Sequence, residues 1–234
     1  MNKEYKLTES AILYSDNHLL IVNKPSGISV QADNSGELSL DEMVKWYIKE
    51  KYQKPGNVFA GVVHRIDKPV TGIVIFARNS RSLARVNELF KERKMRKVYW
   101  AVVKDQPPVA ADTLTHWLKK DGQKNITKAF EKEVPGAAKS WLDYETLGQS
   151  DQYCLLKVVP HTGRQHQIRV QLSKMGCAIK GDVKYGARRG NEDRSIHLHA
   201  REISFEHPAG KGTIHVVAPV PDEALWKYFE KAMT

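Results

Sequence analysis

The chain has 234 residues, a length that favours one large domain over two small ones. Apolar residues make up 41% and charged residues 27%, an ordinary globular composition that excludes wholesale disorder and fibrous structure. Lysine and arginine total 37 against 27 acidic residues, which gives a formal net charge of +10. A basic surface favours polyanions, first nucleic acid and second an anionic membrane surface, but it does not distinguish a passive binder from an enzyme.

Targeting and redox signals point to the cytoplasm. No run of 18 or more apolar residues is present, so the sequence offers no transmembrane helix. Residues 1–10 are polar and charged and lack the apolar stretch of a secretory signal. Cys154 and Cys177 are too few for a disulfide framework and indicate a reducing compartment.

The first elements along the chain are a predicted hairpin and a predicted helix. Short apolar runs at 11–14 and 19–23 flank a turn-rich segment, a pattern typical of two paired strands. Ser39 and Glu42, three residues apart, form a capping box at the start of the helix. Apolar residues recur there at helical spacing, at Leu40, Met43, Val44, Tyr47 and Ile48.

The next segment alternates between apolar strands and charged stretches. Strands predicted at 59–63 and 72–77 flank the polar residues 64–71. A second amphipathic helix begins near Ser80 and ends in a strongly basic run, residues 91–97.

The second half of the chain predicts further strands and two helices. Residues 118–139 are charged and interrupted by glycines and a proline, so we expect an exposed hairpin or loop. A helix with Ile168 and Leu172 on its inner face ends at Gly176, and a terminal helix starts near Asp222. Strands are predicted at 98–103, 153–159, 198–205 and 213–217.

This element order predicts an α+β fold. Strands come mostly in pairs joined by turns and helices arrive irregularly, which favours a largely antiparallel mixed central sheet flanked by helices. No repeat or linker divides the chain, so we expect a single domain over residues 1–234. A glycine-rich phosphate loop of standard spacing is absent, and we expect no nucleotide cofactor.

The polar segment 64–71 carries the first candidate for chemistry. Asp67 lies next to Arg65 and Lys68, on a loop between two strands, where reactive side chains usually sit. Nearby cations keep a carboxylate ionised, as a nucleophile or a base requires. The alternative is an ordinary surface ion pair.

A second polar cluster, residues 162–169, opens the predicted helix around Ile168. Helical spacing would place Arg169 beside Gln165 and His166. Because Ile168 faces the core, we expect Arg169 near the margin of the helix, where it can meet a carboxylate from the sheet. The alternative is a polar helix face whose arginines bind phosphate.

Aromatic and histidine side chains give weaker signals. Lys97 and Tyr99 share one face of a predicted strand, where Tyr99 is either a base-stacking residue or a core tyrosine. His197 and His199 would share a strand face in a histidine-rich C-terminal half. Because the histidine spacing is far from any standard zinc site and no CxxC pair is present, we expect no metal.

In their order along the chain these segments resemble the RluA-type RNA pseudouridine synthases. The resemblance covers residues 12–221, and seven motifs in the right order make it specific. Family members often have leucine at Ile66 and Thr-Ser at Val70-Thr71, and many carry an N-terminal accessory RNA-binding domain that we expect this member to lack. The motifs are Asn23-Lys-Pro-Ser-Gly27, His64-Arg-Ile-Asp67 with Gly72, Lys97-Val-Tyr-Trp-Ala101, Thr162-Gly-Arg-Gln-His-Gln-Ile-Arg169, Gly181-Asp-Val-Lys-Tyr-Gly186, Leu198-His-Ala200, and His207-Pro208 with Ala218-Pro219.

The resemblance implies a pseudouridine-synthase-like catalytic fold with a central cleft, which isomerises uridine to pseudouridine in ribosomal or transfer RNA. It implies no metal or cofactor. Asp67 corresponds to the family's essential aspartate, which acts as a nucleophile on the sugar or the base, or as a base on the sugar. Tyr99 corresponds to the tyrosine that packs on the target ring and helps to move the carbon 5 proton, and Arg169 to the basic residue that pairs with the aspartate.

The resemblance also implies a pocket for a flipped base. Ile168 corresponds to an apolar residue of that pocket, and Arg65 to a residue that fills the space the base leaves. Arg164, His166 and Lys97 are further candidates for substrate binding. We expect RNA as the partner, no membrane contact, and a monomer whose basic residues border one cleft containing Asp67.

Two other functions remain as alternatives. A non-catalytic RNA-binding module would keep the fold and the charge, but it has no reason to keep Asp67, Tyr99 and Arg169 together. A metal-dependent hydrolase built on the histidines is the more distant alternative.

Overall fold

The computed structural model describes residues 6–32 and 36–233. Within this part of the chain there are four α-helices: α1 (Leu40–Lys51), α2 (Ser80–Lys91), α3 (Gln167–Lys174) and α4 (Ala224–Ala232). The same residues form the strands β1 (Ile12–Ser15), β2 (Leu19–Lys24), β3 (Gly61–Val62), β4 (Thr71–Ala77), β5 (Arg96–Val103), β6 (Ala111–Asp121), β7 (Ile126–Phe130), β8 (Ala138–Gln149), β9 (Cys154–Pro160), β10 (Leu198–Glu206) and β11 (Thr213–Val217).

The chain divides into two compact units, each assembled from two stretches of sequence. Unit 1 consists of Met1–Arg96 and Glu202–Pro219, and unit 2 of Lys97–Arg201 and Val220–Thr234. Strand β10 contributes residues to both units.

Unit 1 is built around two largely buried strands, β2 and β4. The strands β1, β2, β4 and β10 are neighbours in that order, with β3 paired to β4 and β11 to β10. All seven residues of β4 are buried, as expected for a strand covered on both faces. Leu20 of β2 lies opposite Phe76 of β4 in an antiparallel ladder. The hairpin predicted from the two apolar runs is confirmed as β1 and β2.

The two helices of unit 1 begin where the sequence predicts. The Ser39 amide donates to Glu42 Oε2 at 2.9 Å, which confirms the capping box of α1. At the start of α2, Asn79 Oδ1 accepts from the Ser82 amide at 2.8 Å. Each contact satisfies a backbone donor that a helix start leaves without an intrahelical partner.

Unit 2 contains a five-stranded antiparallel sheet in the order β5, β9, β8, β6, β7. Alternation along β5 places Trp100 and Val102 on one face, where they pack with Trp226 and Phe229 of α4. Helix α3 lies against the opposite face, where Val170 packs with Leu118 of β6. The two helices therefore cover opposite faces of this sheet.

The predicted α+β class is confirmed, and so is a hairpin within residues 118–139, since β6 and β7 pair antiparallel there. Its first strand begins earlier, at Ala111, and pairs with β8 as well. One local prediction needs correction. Helix α3 begins at Gln167, so Gln165 and His166 precede it and the helical spacing used to place them beside Arg169 does not apply. His166, the residue before the helix, adopts a left-handed conformation with φ +54°.

Candidate active site

Asp67 lies in unit 1 on the segment between β3 and β4. Its backbone oxygen accepts from the Val70 amide at 3.0 Å, which closes a tight turn over residues 67–70. The neighbouring Ile66 and Val70 are buried, whereas Asp67 is half-buried. Apolar anchors on either side thus fix the turn while the carboxylate keeps partial access to solvent.

A buried lysine from the first motif supports this turn. Lys24, at the end of β2, is 0% exposed. Its Nζ donates to the backbone oxygens of Pro25 and Ile28, both at 2.9 Å, and of Lys68 at 3.1 Å. The Gly27 amide donates to the same Lys68 oxygen at 2.9 Å. These contacts tie the segment after β2 to the residue that follows Asp67.

The environment of Lys24 perturbs its protonation. Burial lowers the pKa of Lys24 to about 7, because the low-dielectric interior disfavours the charged form. The negative charge of Asp67 acts in the opposite direction and raises the Lys24 pKa, while the Lys68 charge lowers it further. Lys24 and Asp67 are therefore coupled electrostatically within unit 1.

Arg65 is the second candidate in unit 1. It is exposed, and its Nη1 donates to Gln31 Oε1 at 3.5 Å. Such a long contact at the surface constrains the side chain weakly. Arg65 can therefore move to meet a bound molecule.

The other six candidates lie in unit 2, starting with two on β5. Tyr99 and Lys97 are both half-buried and share the face opposite Trp100, as strand alternation predicts. Tyr99 lies opposite Val158 of β9. Burial lowers the pKa of Lys97, because its ammonium is partly removed from water.

Arg169 is held by a buried carboxylate that we had not predicted. Its Nε donates to Asp182 Oδ2 at 2.7 Å and its Nη2 to Asp182 Oδ1 at 2.8 Å. The side chains of Arg169 and Asp182 are only 5% and 1% exposed. The expected position of Arg169 near the helix margin is therefore wrong, because this bidentate ion pair allows the guanidinium to be buried.

Tyr185 connects Arg169 to His166. The Arg169 guanidinium carbon lies 4.9 Å from the centre of the Tyr185 ring, a cation–π contact. The Tyr185 hydroxyl accepts from the Thr127 amide at 2.8 Å and lies 2.7 Å from His166 Nδ1. The Tyr185 hydroxyl therefore links the Thr127 backbone to the His166 ring.

The remaining candidates, Ile168 and Arg164, lie at and just before the start of α3. Ile168 is buried, whereas Arg164 is exposed. The Arg164 amide donates to Gln167 Oε1 at 3.1 Å, and the Thr162 hydroxyl donates to the same oxygen at 2.8 Å. His166, which lies between Arg164 and Gln167, adopts a left-handed conformation. This conformation is uncommon for a residue with a Cβ, and such strained residues cluster at functional sites.

Sequence reasoning missed Lys24, Asp182 and Tyr185 as site residues, although all three lie in motifs that it identified. Asp182 and Tyr185 belong to the motif that runs from Gly181 to Gly186. The sequence of this motif does not show which residues their side chains contact. A carboxylate and a tyrosine fixed between two left-handed glycines would have been the available signal.

Within residues 6–32 and 36–233, no group of three or more histidine, cysteine or acidic side chains could hold a metal ion. The predicted pair His197 and His199 is buried instead against the ring of Trp226, and His197 precedes β10 rather than lying on it. In the same residues no helix has the length and apolar composition needed to cross a membrane.

Comparison with known proteins identifies the class. Residues 18–174 match the family model described as RNA pseudouridylate synthase. A ribosomal large subunit pseudouridine synthase C from Buchnera aphidicola subsp. Baizongia pistaciae is 32% identical, over 94% of this chain and 72% of the relative. One from Vibrio parahaemolyticus is 30% identical, over 94% of this chain and 68% of the relative.

Solved structures support the fold assignment. The structure of human RNA pseudouridylate synthase domain containing 4 superposes with a TM-score of 0.78 at 23% identity, covering 95% of this chain and 92% of that one. The chain therefore belongs to the RNA pseudouridylate synthase family, as the ordered motifs predict. It is an RNA pseudouridine synthase, an isomerase.

Proposed function

We propose that this enzyme converts one or more uridines of ribosomal RNA to pseudouridine. The observation that carries the proposal is the similarity to ribosomal large subunit pseudouridine synthases C, which extends over 94% of the chain at 32% identity. Transfer RNA is the other substrate that the sequence predicts. The net charge of +10 suits either polyanion.

The reaction is balanced without an external reagent. The bond from ribose C1′ to uracil N1 breaks, the ring turns, and a new bond forms from C1′ to C5. The C5 proton is lost and N1 gains a proton, so product and substrate are isomers. The chain must therefore hold a detached ring, stabilise the sugar, and move one proton.

Asp67 is the essential carboxylate in this proposal. A tight turn with buried anchors supports that role, because a reacting group needs a fixed position. Its mode of action, as a nucleophile on the sugar or the base or as a base on the sugar, depends on the position of the bound uridine. Lys24 stabilises the turn by donating a hydrogen bond to the Lys68 backbone oxygen.

Arg169 is the proposed partner of Asp67. Asp182 engages Nε and Nη2 of the guanidinium, which fixes the orientation of the Arg169 side chain. An arginine anchored on one edge can present its other edge to a second carboxylate with little loss of side-chain entropy. The paired cation would hold the Asp67 carboxylate in one orientation.

The target uracil is proposed to leave the RNA stack and enter a pocket, at a cost of a few kcal/mol. Stacking on Tyr99, worth roughly 1–3 kcal/mol, would offset part of that cost. We propose that Ile168 lines the pocket and that Arg65, exposed and weakly constrained, fills the vacated space. Arg164, His166 and Lys97 are proposed to contact the surrounding RNA.

We further propose that residues 1–234 act as one catalytic domain, as a monomer in the cytoplasm. Both cysteines, Cys154 and Cys177, are buried free thiols, which suits a reducing compartment.

The direct test is a map of pseudouridine in cellular RNA. RNA from a deletion strain is treated with carbodiimide, and primer-extension stops are compared with those of strains expressing the wild type, Asp67→Asn or Asp151→Asn. We expect at least one ribosomal RNA stop to require the wild type and to disappear with Asp67→Asn. Asp151→Asn is the matched control, because Asp151 is an exposed turn residue.

Two results would contradict the proposal. If the stop that depends on this protein lies in transfer RNA, the ribosomal assignment is wrong. If Asp67→Asn restores the stop as fully as Asp151→Asn, Asp67 is not essential. Affinity of purified Asp67→Asn for the RNA is expected within a few fold of the wild type, and an equal loss of affinity and product would indicate a structural role.

A further inference from the structure

A row of aromatic and basic side chains crosses the outer face of the unit 2 sheet. Trp117 of β6 lies opposite Phe130 of β7 on one side and Lys139 of β8 on the other. Residues directly opposite each other share a face, with Cβ atoms about 5 Å apart. One step further along the same face, Lys119 lies opposite Lys128. We name these five residues the hairpin face.

The hairpin face is not part of the hydrophobic core. The alternate residues of β6, His116 and Leu118, are buried on the side that carries α3. Trp117 and Phe130 point the other way and remain partly exposed. Two large aromatic rings at a sheet surface cost solubility without filling a core, which favours an interaction role.

Charge on the hairpin face favours an anionic occupant. Lys119, Lys128 and Lys139 are all exposed. Two lysines directly opposite each other repel, although Lys128 has Asp121 at 3.5 Å and Lys119 donates to the Pro135 oxygen. Residues 116–139 contain six lysines against three acidic residues. Phosphates placed between these cations would relieve the repulsion.

A cation–π contact with Lys139 holds the Trp117 ring in position. The Lys139 ammonium lies 5.3 Å from the centre of the Trp117 ring and limits its rotation. An aromatic ring held in place beside a cation offers a base a surface for stacking and its phosphate a positive charge. An acidic peptide would use the lysines but not the two rings, so the combination favours single-stranded nucleic acid.

We propose that the hairpin face binds an unpaired segment of the substrate RNA that flanks the target uridine, with bases stacked on Trp117 and Phe130. The inference rests on the proposed function, because it takes the occupant to be the RNA that is modified. Tyr99 lies on the opposite face of the same sheet, so the hairpin face holds flanking nucleotides rather than the reacting base.

The test measures RNA affinity by fluorescence anisotropy with the full chain. The probes are a labelled 16-nucleotide RNA without self-complementarity and the same RNA annealed to its complement. We expect Trp117→Ala/Phe130→Ala to bind the single strand about 10- to 100-fold more weakly, since each lost base stack costs several fold. Duplex affinity should change less than threefold, because paired bases cannot stack on the rings.

Matched variants separate stacking from misfolding. Trp46→Ala removes another tryptophan, 59% exposed on α1 of unit 1, and should bind as the wild type does. Trp117→Tyr keeps an aromatic ring and should retain most of the single-strand affinity. Lys119→Gln/Lys128→Gln should lower the dependence of log Kd on log salt by about 1 to 2.

The outcomes distinguish this inference from the proposed function. Wild-type affinity of Trp117→Ala/Phe130→Ala for the single strand, with normal pseudouridine formation, would overturn the hairpin face alone. Selective loss of single-strand affinity in an enzyme that forms no pseudouridine in ribosomal RNA would support the hairpin face and overturn the ribosomal proposal. A lower sedimenting mass for the double variant would also overturn it, because a second copy of the chain would then cover this face.

Discussion

Arg169 and Asp182 form a buried ion pair, and in the proposed site the same pair would fix the guanidinium beside Asp67. The pair is buried and bidentate, so each charge depends on the other for its solvation. Removal of one partner should lower the free energy of unfolding, because the other charge then remains uncompensated in the interior.

We predict that Asp182→Asn lowers the free energy of unfolding by about 3–5 kcal/mol and abolishes most pseudouridine formation. The amide can accept one guanidinium hydrogen bond, but its NH₂ faces the other donor. Urea unfolding and the carbodiimide assay on ribosomal RNA measure the two effects. Asp151→Asn should change neither, and an active, fully stable Asp182→Asn would show that the pair positions nothing.

The candidate site was predictable from sequence only in part. Asp67 and Tyr99 are candidates because the ordered motifs resemble those of the family, whereas local charge and strand alternation alone leave each with an ordinary structural alternative. Asp182 lies thirteen residues from Arg169, and nothing in the spacing states that they meet. Burial of Lys24 was equally hidden, because a lysine after four apolar strand residues usually marks a strand end at the surface.

Among elements, prediction was most successful where periodicity and capping agreed. Helix α1 began at its capping box, and β4 was apparent from its apolar run. Helix α3 was placed too early because the polar residues before it have helical propensity, whereas the left-handed His166 excludes them from the helix. The full length of the β6–β7 hairpin follows from pairing between the strands. A charged segment without a clear apolar alternation does not reveal that pairing.

His197, the residue before β10, joins the segment that precedes this strand to the start of α4. This side chain is stacked on Trp226 with ring centres 5.2 Å apart, and its Nε2 lies 3.2 Å from Glu223, the N-cap of α4. Burial lowers the pKa of His197 to about 4, and the Lys180 charge lowers it too, while Glu223 and Asp193 act in the opposite direction.

We predict that acid weakens the protein through His197. Between pH 6.5 and about 4 the unfolded chain carries a proton on this histidine that the folded chain does not, so unfolding becomes more favourable as pH falls. The loss should reach about 3 kcal/mol across that window. Urea unfolding at pH 7 and pH 4.5 measures it.

His197→Gln should show a shallower loss of stability between those two pH values than the wild type. His215→Gln is the matched control, because it makes the same substitution at an exposed residue of β11. Equal slopes for the wild type and His197→Gln would assign the acid sensitivity to other groups.

At the scale of the whole molecule the dominant property is the net charge of +10. Phosphate contacts release counterions, so the affinity for RNA should fall as salt rises. With about six phosphate contacts on a single strand, we predict a slope near −4 for log affinity against log salt, or a loss of roughly 100-fold or more between 50 and 200 mM KCl. Anisotropy titrations with the 16-nucleotide RNA measure this slope.

The control for the salt prediction is Asp67→Asn, which removes no cation and should give a slope at least as steep. An affinity that is insensitive to salt would mean that stacking and shape, rather than phosphate contacts, account for RNA binding. The overall basicity would then serve another purpose, such as solubility.

The two buried thiols make this chain convenient for site-specific labelling. Burial raises the pKa of Cys154 and raises that of Cys177 to about 11, so neither presents a reactive thiolate to a maleimide at neutral pH. A single cysteine introduced at an exposed position of β6 or β7 could therefore carry a fluorophore in an otherwise unmodified background. Contact between that reporter and RNA could then be followed in real time during turnover.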